Sequence, residues 1–153
     1  MLTFGPAGTP AGLLKRIKMK KDIPFLPVEG IQVAIVRTIN ELNAEAWHVT
    51  LINRNTHPIT NVFVTSKGYG SLETNADQKT SMLRHFFPEV PSGGHVIVEP
   101  IMPELFHLTN EYWVSYFIEN QVYDKKFIFV PDSIIPNNLI EIKPLGLVGV
   151  LHE

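Results

Sequence analysis

Two histidines and a glutamate are the residues whose types and spacing could support chemistry. His95 and Glu99 are four residues apart in an alternating apolar segment, which would place both on one face of a regular strand, and His85 lies on the preceding predicted strand. Because the chain has no cysteine, a metal would have to bind histidine and carboxylate. His85, His95 and Glu99 are therefore a candidate open metal site for a hydrolase. The sequence has neither His-x-His nor HExxH, so ordinary hydrogen-bonded or solvent-facing histidines are the alternative interpretation.

A basic segment, LLKRIKMKK, is the second candidate. Its five cations precede the first acidic residue, Asp22, and the rest of the chain has eight basic and fifteen acidic residues, a net charge of −7. Such a segment suits phosphate groups or an anionic membrane surface, whereas the acidic body opposes a polyanion. We therefore expect a solvated helix face or arm and disfavour nucleic acid as a partner. The cations are Lys15, Arg16, Lys18, Lys20 and Lys21.

An aromatic segment, NEYWVSYFIENQVYDKKFIFV, has apolar residues on both faces of a predicted β-hairpin. One face is a candidate for the core, and the other is largely polar but includes Trp113, Phe117 and Ile128. An apolar strip on a polar face indicates a protein interface. These three residues are a candidate interaction surface, with a second copy of the chain or another protein as the expected partner.

The elements that position these residues are predicted to be β-strands. From Ile31 to Val130, short runs of β-branched and aromatic residues are separated by Pro, Gly, Asn and Asp. Ile31–Ile39 alternates as the first strand, and the polar cluster Asn53–Pro58 is predicted to turn the second strand back into a hairpin with the third. The pattern predicts an all-β fold: a single antiparallel immunoglobulin-like sandwich over residues 31–153.

The last predicted hairpin can be placed in register. A two-residue turn at Asn120-Gln121 would set Tyr112 opposite Phe129 and Val114 opposite Phe127.

Both ends of the chain are predicted to differ from this sandwich. Residues 1–30 are expected to form an arm with a short basic helix that starts at Thr9-Pro10. Three prolines, Pro131, Pro136 and Pro144, predict an irregular C-terminal tail. No stretch has the roughly 18 apolar residues of a membrane span, and no signal peptide is evident, so we expect a cytoplasmic protein.

Composition restricts the function further. A chain of 153 residues with 44% hydrophobic residues is long enough for one domain with its own core. The lack of cysteine excludes disulfides, thiolate zinc sites and a cysteine nucleophile. No phosphate loop, nucleophile elbow or cofactor fingerprint is present, so no cofactor is expected. A non-enzymatic interaction or structural module is the leading hypothesis.

Five segments resemble a family of short bacterial β-sandwich proteins, some of which are labelled phenylalanyl-tRNA synthetase alpha subunit. They are WHVTLINRN, VTSKGYGS, KTSMLRHFF, NEYWVSYFIEN and KKFIFVPDSI, and the resemblance covers roughly Ile31 to Ile135. The label implies binding of ATP, an amino acid and tRNA. The sequence has no F-R-x-E segment and no Gly-rich, Arg-containing strand and helix of a class II synthetase, so we do not expect that activity.

Overall fold

The protein is a sandwich of two antiparallel β-sheets in a computed structural model that describes residues 26–70 and 79–153. The predicted all-β class is confirmed. The strands, in chain order, are β1 (Ile31–Ile39), β2 (Glu45–Asn53), β3 (Ile59–Tyr69), β4 (Leu83–Val90), β5 (His95–Pro100), β6 (Thr109–Ile118), β7 (Gln121–Phe129), β8 (Ile140–Ile142) and β9 (Leu147–His152). The predicted N-terminal helix and the cations of the basic segment lie outside the described residues. Within the described ranges, no helix has the length and apolar character needed to cross a membrane.

The strand order shows where the chain changes sheets. Sheet A has the order β5-β2-β1-β9-β8, and sheet B has the order β4-β3-β6-β7. The predicted hairpin between the second and third strands is wrong, because β2 belongs to sheet A and β3 to sheet B. The crossing is held by Asn53, which is fully buried and whose Nδ2 donates to the carbonyl oxygens of His57 (2.9 Å) and Val90 (3.1 Å). A buried amide with several carbonyl partners stabilises a connection that has no ladder hydrogen bonds of its own.

The hydrophobic core lies between the sheets and follows the two-residue alternation of the strands. Inward positions are occupied by β-branched and aromatic residues, and the neighbouring positions face outward. The fully buried members include Val33, Ile35, Val49, Leu51, Val62, Val64, Tyr112, Val114 and Phe127. This core fixes which side chains of each strand are left for the surface.

The last hairpin is formed by β6 and β7, but its predicted register is wrong by two residues. Ile118 is opposite Gln121, Tyr112 is opposite Phe127, and Val114 is opposite Lys125. The turn is at Glu119-Asn120, where Glu119 takes a positive φ of 55°. A shift of two residues keeps every side chain on its face, so the predicted division into a core face and an outer face is unaffected.

The C-terminal segment is not an irregular tail. It forms β8 and β9, and β9 pairs with β1 from Val33–His152 to Arg37–Val148. The three prolines lie before β8 and in the β8–β9 turn, where no ladder hydrogen bond is needed. Gly149 makes this pairing possible, since a Cβ at that position would lie 2.4 Å from the carbonyl oxygen of Ile35.

Candidate functional site

A β-bulge in β5 decides which way the candidate metal ligands point. Thr50 of β2 is opposite Ile97 and Val49 is opposite Glu99, so β5 has one extra residue between the two pairs. Because Val49 faces the core, Glu99 is turned inward, whereas His95 lies before the bulge and is exposed. The expectation that His95 and Glu99 share a face is therefore wrong.

Glu99 is the centre of a polar cluster between the two sheets, which we call the inter-sheet cluster (Ser66, His85 and Glu99). Oε1 of Glu99 accepts a hydrogen bond from Oγ of Ser66 on β3 (2.8 Å) and lies 2.6 Å from Nε2 of His85 on β4. Ser66 is only 4% exposed, and the side chain of Glu99 is 13% exposed. Two hydrogen bonds to one oxygen hold the carboxylate in a fixed position beneath the surface.

The structure brings two of the three candidate metal ligands together. His85 and Glu99 are in direct contact, while His95 stays on the outer side of sheet A. Among the described residues, no group of three or more His, Cys, Asp or Glu is arranged to hold a metal ion. Ser66 is also not paired as a nucleophile, because its hydroxyl donates to Glu99 rather than to a histidine base.

A small cleft opens beside the inter-sheet cluster, and we call it the end cleft. Its volume is about 210 Å³, and Glu99, Tyr112 and Asn110 contribute polar groups to its lining. Burial and the nearby Glu99 carboxylate raise the pKa of Tyr112, so its phenol stays protonated at neutral pH. Asn110 donates through Nδ2 to the backbone oxygens of Leu105 (2.9 Å) and Leu108 (3.2 Å), which leaves its Oδ1 as an acceptor.

The outer surface of sheet B carries the largest set of exposed aromatic side chains in the described residues. We call it the aromatic face and define it by Phe63, Phe86, Trp113, Phe117 and Ile128. The exposed fractions of Phe63, Phe86, Trp113 and Ile128 are 50%, 49%, 45% and 39%. Trp113, Phe117 and Ile128 share this face, as the hairpin pattern predicts.

Phe63 and Phe86 are members of the aromatic face that the sequence prediction missed. They are direct neighbours on β3 and β4, with ring centroids 4.9 Å apart. The signal was available in the alternation of β3, because Phe63 lies between the buried Val62 and Val64 and must therefore face outward.

The register arranges the middle of the aromatic face into two ladders that cross all four strands. The first ladder consists of Arg84, Thr65, Trp113 and Lys126. The second consists of Phe86, Phe63, Ser115 and Asp124. The two ladders are complementary in size on the central strands β3 and β6. The first ladder has the small Thr65 on β3 and the large Trp113 on β6, whereas the second has the large Phe63 on β3 and the small Ser115 on β6.

A depression of about 220 Å³ lies between the ring of Phe63 and the ring of Trp113. Thr65 and Ser115 form its floor because their side chains are small. Nε1 of Trp113 donates a hydrogen bond to Oδ1 of Asp124, and Nζ of Lys126 lies 5.0 Å from the centroid of the indole ring. These contacts orient Trp113 while leaving almost half of it exposed.

The same face also has an ion pair close to its end. Nζ of Lys67 lies 3.8 Å from Oε2 of Glu111, whose Oε1 accepts a hydrogen bond from the Tyr69 hydroxyl at 3.1 Å. Burial raises the pKa of Tyr69, and the hydrogen bond to Glu111 raises it further. Glu111 is 6% exposed, so this carboxylate is held by its neighbours rather than by water.

The fold and these two sites define an antiparallel β-sandwich with an exposed aromatic sheet face and a polar cleft at one end. No protein-family model, curated protein or solved structure matches the chain.

Proposed function

We propose that this protein is a non-enzymatic interaction module that self-associates as a homodimer through the aromatic face. The observation that carries the proposal is the exposure of Phe63, Phe86, Trp113 and Ile128, between 39% and 50% each, on one outer sheet face. A contiguous apolar patch of this kind is costly in water and is typical of a protein–protein interface.

The two ladders favour a second copy of the chain as the occupant. A two-fold axis that runs across the strands, midway between the ladders, places the first ladder of one copy over the second ladder of the other. Trp113 then covers Ser115, Phe63 covers Thr65, and Lys126 faces Asp124. Large side chains meet small ones and opposite charges meet, as a self-complementary interface requires.

Charge and area agree with this occupant. The register places four cations and three acids on this face, so its charge is close to balanced although the chain as a whole is acidic; they are Lys67, Lys79, Arg84, Lys126, Glu89, Glu111 and Asp124. Four strands about 4.8 Å apart and about eight residues long give a face of roughly 500 Å². A pair of such faces buries roughly 1,000 Å², close to the lower limit for a specific interface.

The immunoglobulin-like architecture is part of the proposal. If β1 to β7 are assigned as strands A, B, C, C′, E, F and G, the strand order gives the sheets A-B-E and C′-C-F-G. These are the neighbours of an immunoglobulin-like sandwich, with β9 and β8 added beside strand A. Membership of the bacterial family described above and a cytoplasmic location stay predictions.

Sedimentation equilibrium of the full chain tests the proposal. We expect a dimer at micromolar concentration, and we expect Trp113→Ala to weaken it by about thirtyfold, since a central aromatic residue of an interface contributes about 2 kcal/mol. Ile97→Ala is the matched control, because Ile97 is 56% exposed but lies on sheet A. A wild-type monomer at high micromolar concentration, or equal effects of the two variants, would overturn the proposal.

A further inference from the structure

The end cleft has features that the proposed dimer does not use. It lies at the edge of the interior between the two sheets, whereas the aromatic face is the outer surface of sheet B. Its volume of about 210 Å³ suits a small group rather than a large ligand. Any role of this cleft is independent of self-association.

The polar lining of the end cleft includes two hydrogen-bond acceptors that neighbouring groups hold in place. Glu99 supplies a carboxylate that Ser66 and His85 hold in place through one oxygen. Asn110 supplies Oδ1, because both hydrogens of its Nδ2 are taken by backbone carbonyls. The lining therefore attracts a group that carries positive charge and several N–H donors.

Tyr112 adds an independent observation. It is 98% buried and lines the cleft, and its hydroxyl makes no hydrogen bond to any other described residue. Its oxygen is not one of the fully buried polar atoms without a partner in the described residues, so this unpartnered oxygen reaches accessible space. The free hydroxyl is therefore available to a ligand in the cleft, next to the Glu99 carboxylate.

The lining also includes Lys67, Thr80 and Ser81, and the ammonium group of Lys67 is directed to Glu111 on the outer face of sheet B. Leu83, Ile101 and Met102 contribute aliphatic or thioether side chains near the acceptors. We propose that the end cleft binds an alkylammonium group, with its three N–H donors directed to Glu99, Tyr112 and Asn110 and its alkyl chain against these three side chains. The group can belong to a free aliphatic amine or to the side chain of a lysine.

A titration of the full chain with n-butylammonium, followed by amide NMR shifts, tests this proposal. We expect saturable binding at millimolar concentration with shifts at Gly68 and Ile101, and binding of 1-butanol that is weaker by about tenfold or more because it lacks the charge. A second titration uses Nα-acetyl-lysine amide. Binding of this compound shows that a lysine side chain reaches the cleft, whereas binding of butylammonium alone identifies a site for small amines.

Variants assign the binding to the named residues. Glu99→Gln should weaken butylammonium binding by about tenfold or more while keeping an oxygen that accepts from Ser66 and His85. Tyr112→Phe should weaken it several-fold and keeps the ring. Glu141→Gln, which changes an exposed carboxylate on β8, is the control and should have no effect. Equal binding of butanol and butylammonium, no saturable binding by the folded wild type, or an unchanged affinity of Glu99→Gln would overturn the proposal.

Discussion

His85 and Glu99 join the two edge strands that lie on the same side of the sandwich, β4 of sheet B and β5 of sheet A, through a contact of 2.6 Å between Nε2 and Oε1. Neither sheet supplies ladder hydrogen bonds between these two strands. The contact therefore acts as a polar link across the open side of the core.

Removal of Glu99 should destabilise the protein through its partners. In Glu99→Ala the hydroxyl of Ser66, which is almost completely buried, has no acceptor, and we expect a loss of about 1–3 kcal/mol in the free energy of unfolding. Urea denaturation measures the loss. Glu141→Ala, at an exposed position of β8, should change stability by less than about 0.5 kcal/mol. Equal losses in the two variants would show that the link contributes no stability.

Charge exchange tests the geometry of the proposed dimer. In a dimer of Lys126→Asp, the substituted position of each copy is an acid that faces Asp124 of the other copy. In a dimer of Asp124→Lys, the substituted position is a lysine that faces Lys126 of the other copy. Each variant alone should therefore associate about tenfold more weakly than wild type. A mixture of the two variants should associate again, because each unlike pair is restored. Lys143→Asp lies away from the aromatic face and is the control. Sedimentation of the mixture as monomers would contradict this arrangement of the ladders.

Two buried tyrosines predict a loss of stability at alkaline pH. Burial raises the pKa of Tyr112 and of Tyr116, with further contributions from Glu99 and Tyr123. Above pH 10 the unfolded chain releases these protons while the folded chain keeps them, so the free energy of unfolding falls as pH rises, by up to about 1.4 kcal/mol per pH unit for each group. In urea denaturation between pH 9 and pH 11, Tyr112→Phe should show a shallower fall than wild type. An unchanged slope would contradict the prediction.

Gly149→Ala should break the pairing of β9 with β1. The new Cβ would lie 2.4 Å from the carbonyl oxygen of Ile35, which is backbone and cannot rotate away. We expect a loss of about 1–3 kcal/mol or more. Hydrogen exchange should show faster exchange in β1 and β9, with the β3–β6 pair of sheet B as an internal control. Unchanged hydrogen-exchange protection of β1 in Gly149→Ala would contradict the prediction, because β1 and β9 would then have shifted enough to accept the new Cβ.

The sequence was most informative where a strand is regular. Alternation from Ile31 to Ile39 predicts β1 to the residue, and it also divides β6 and β7 into a core face and an outer face. The register of that hairpin was missed because its turn contains no glycine, and Glu119 takes the positive φ instead. The two-residue period explains why the face of Trp113 was nevertheless correct.

The candidate site was harder to predict because it depends on irregularities and on long-range pairing. The bulge next to Val98 turns Glu99 inward, and no residue type in HVIVEP marks it. Ser66 joins Glu99 only because the chain changes sheets after Asn53, which local sequence does not reveal. The contact of Glu99 with His85 needs both the bulge and this change of sheet.

The pairing of β1 with both β2 and β9 also affects the order in which the protein can fold during synthesis. Ile35 pairs with Val49 on one side, close in sequence, but with Val150 on the other. A ribosome that has made β1 to β7 has therefore produced one complete sheet and one sheet whose β1 edge is still unpaired. Until β9 emerges, that edge is open to strands of other nascent chains, so slow translation of the last segment should increase aggregation.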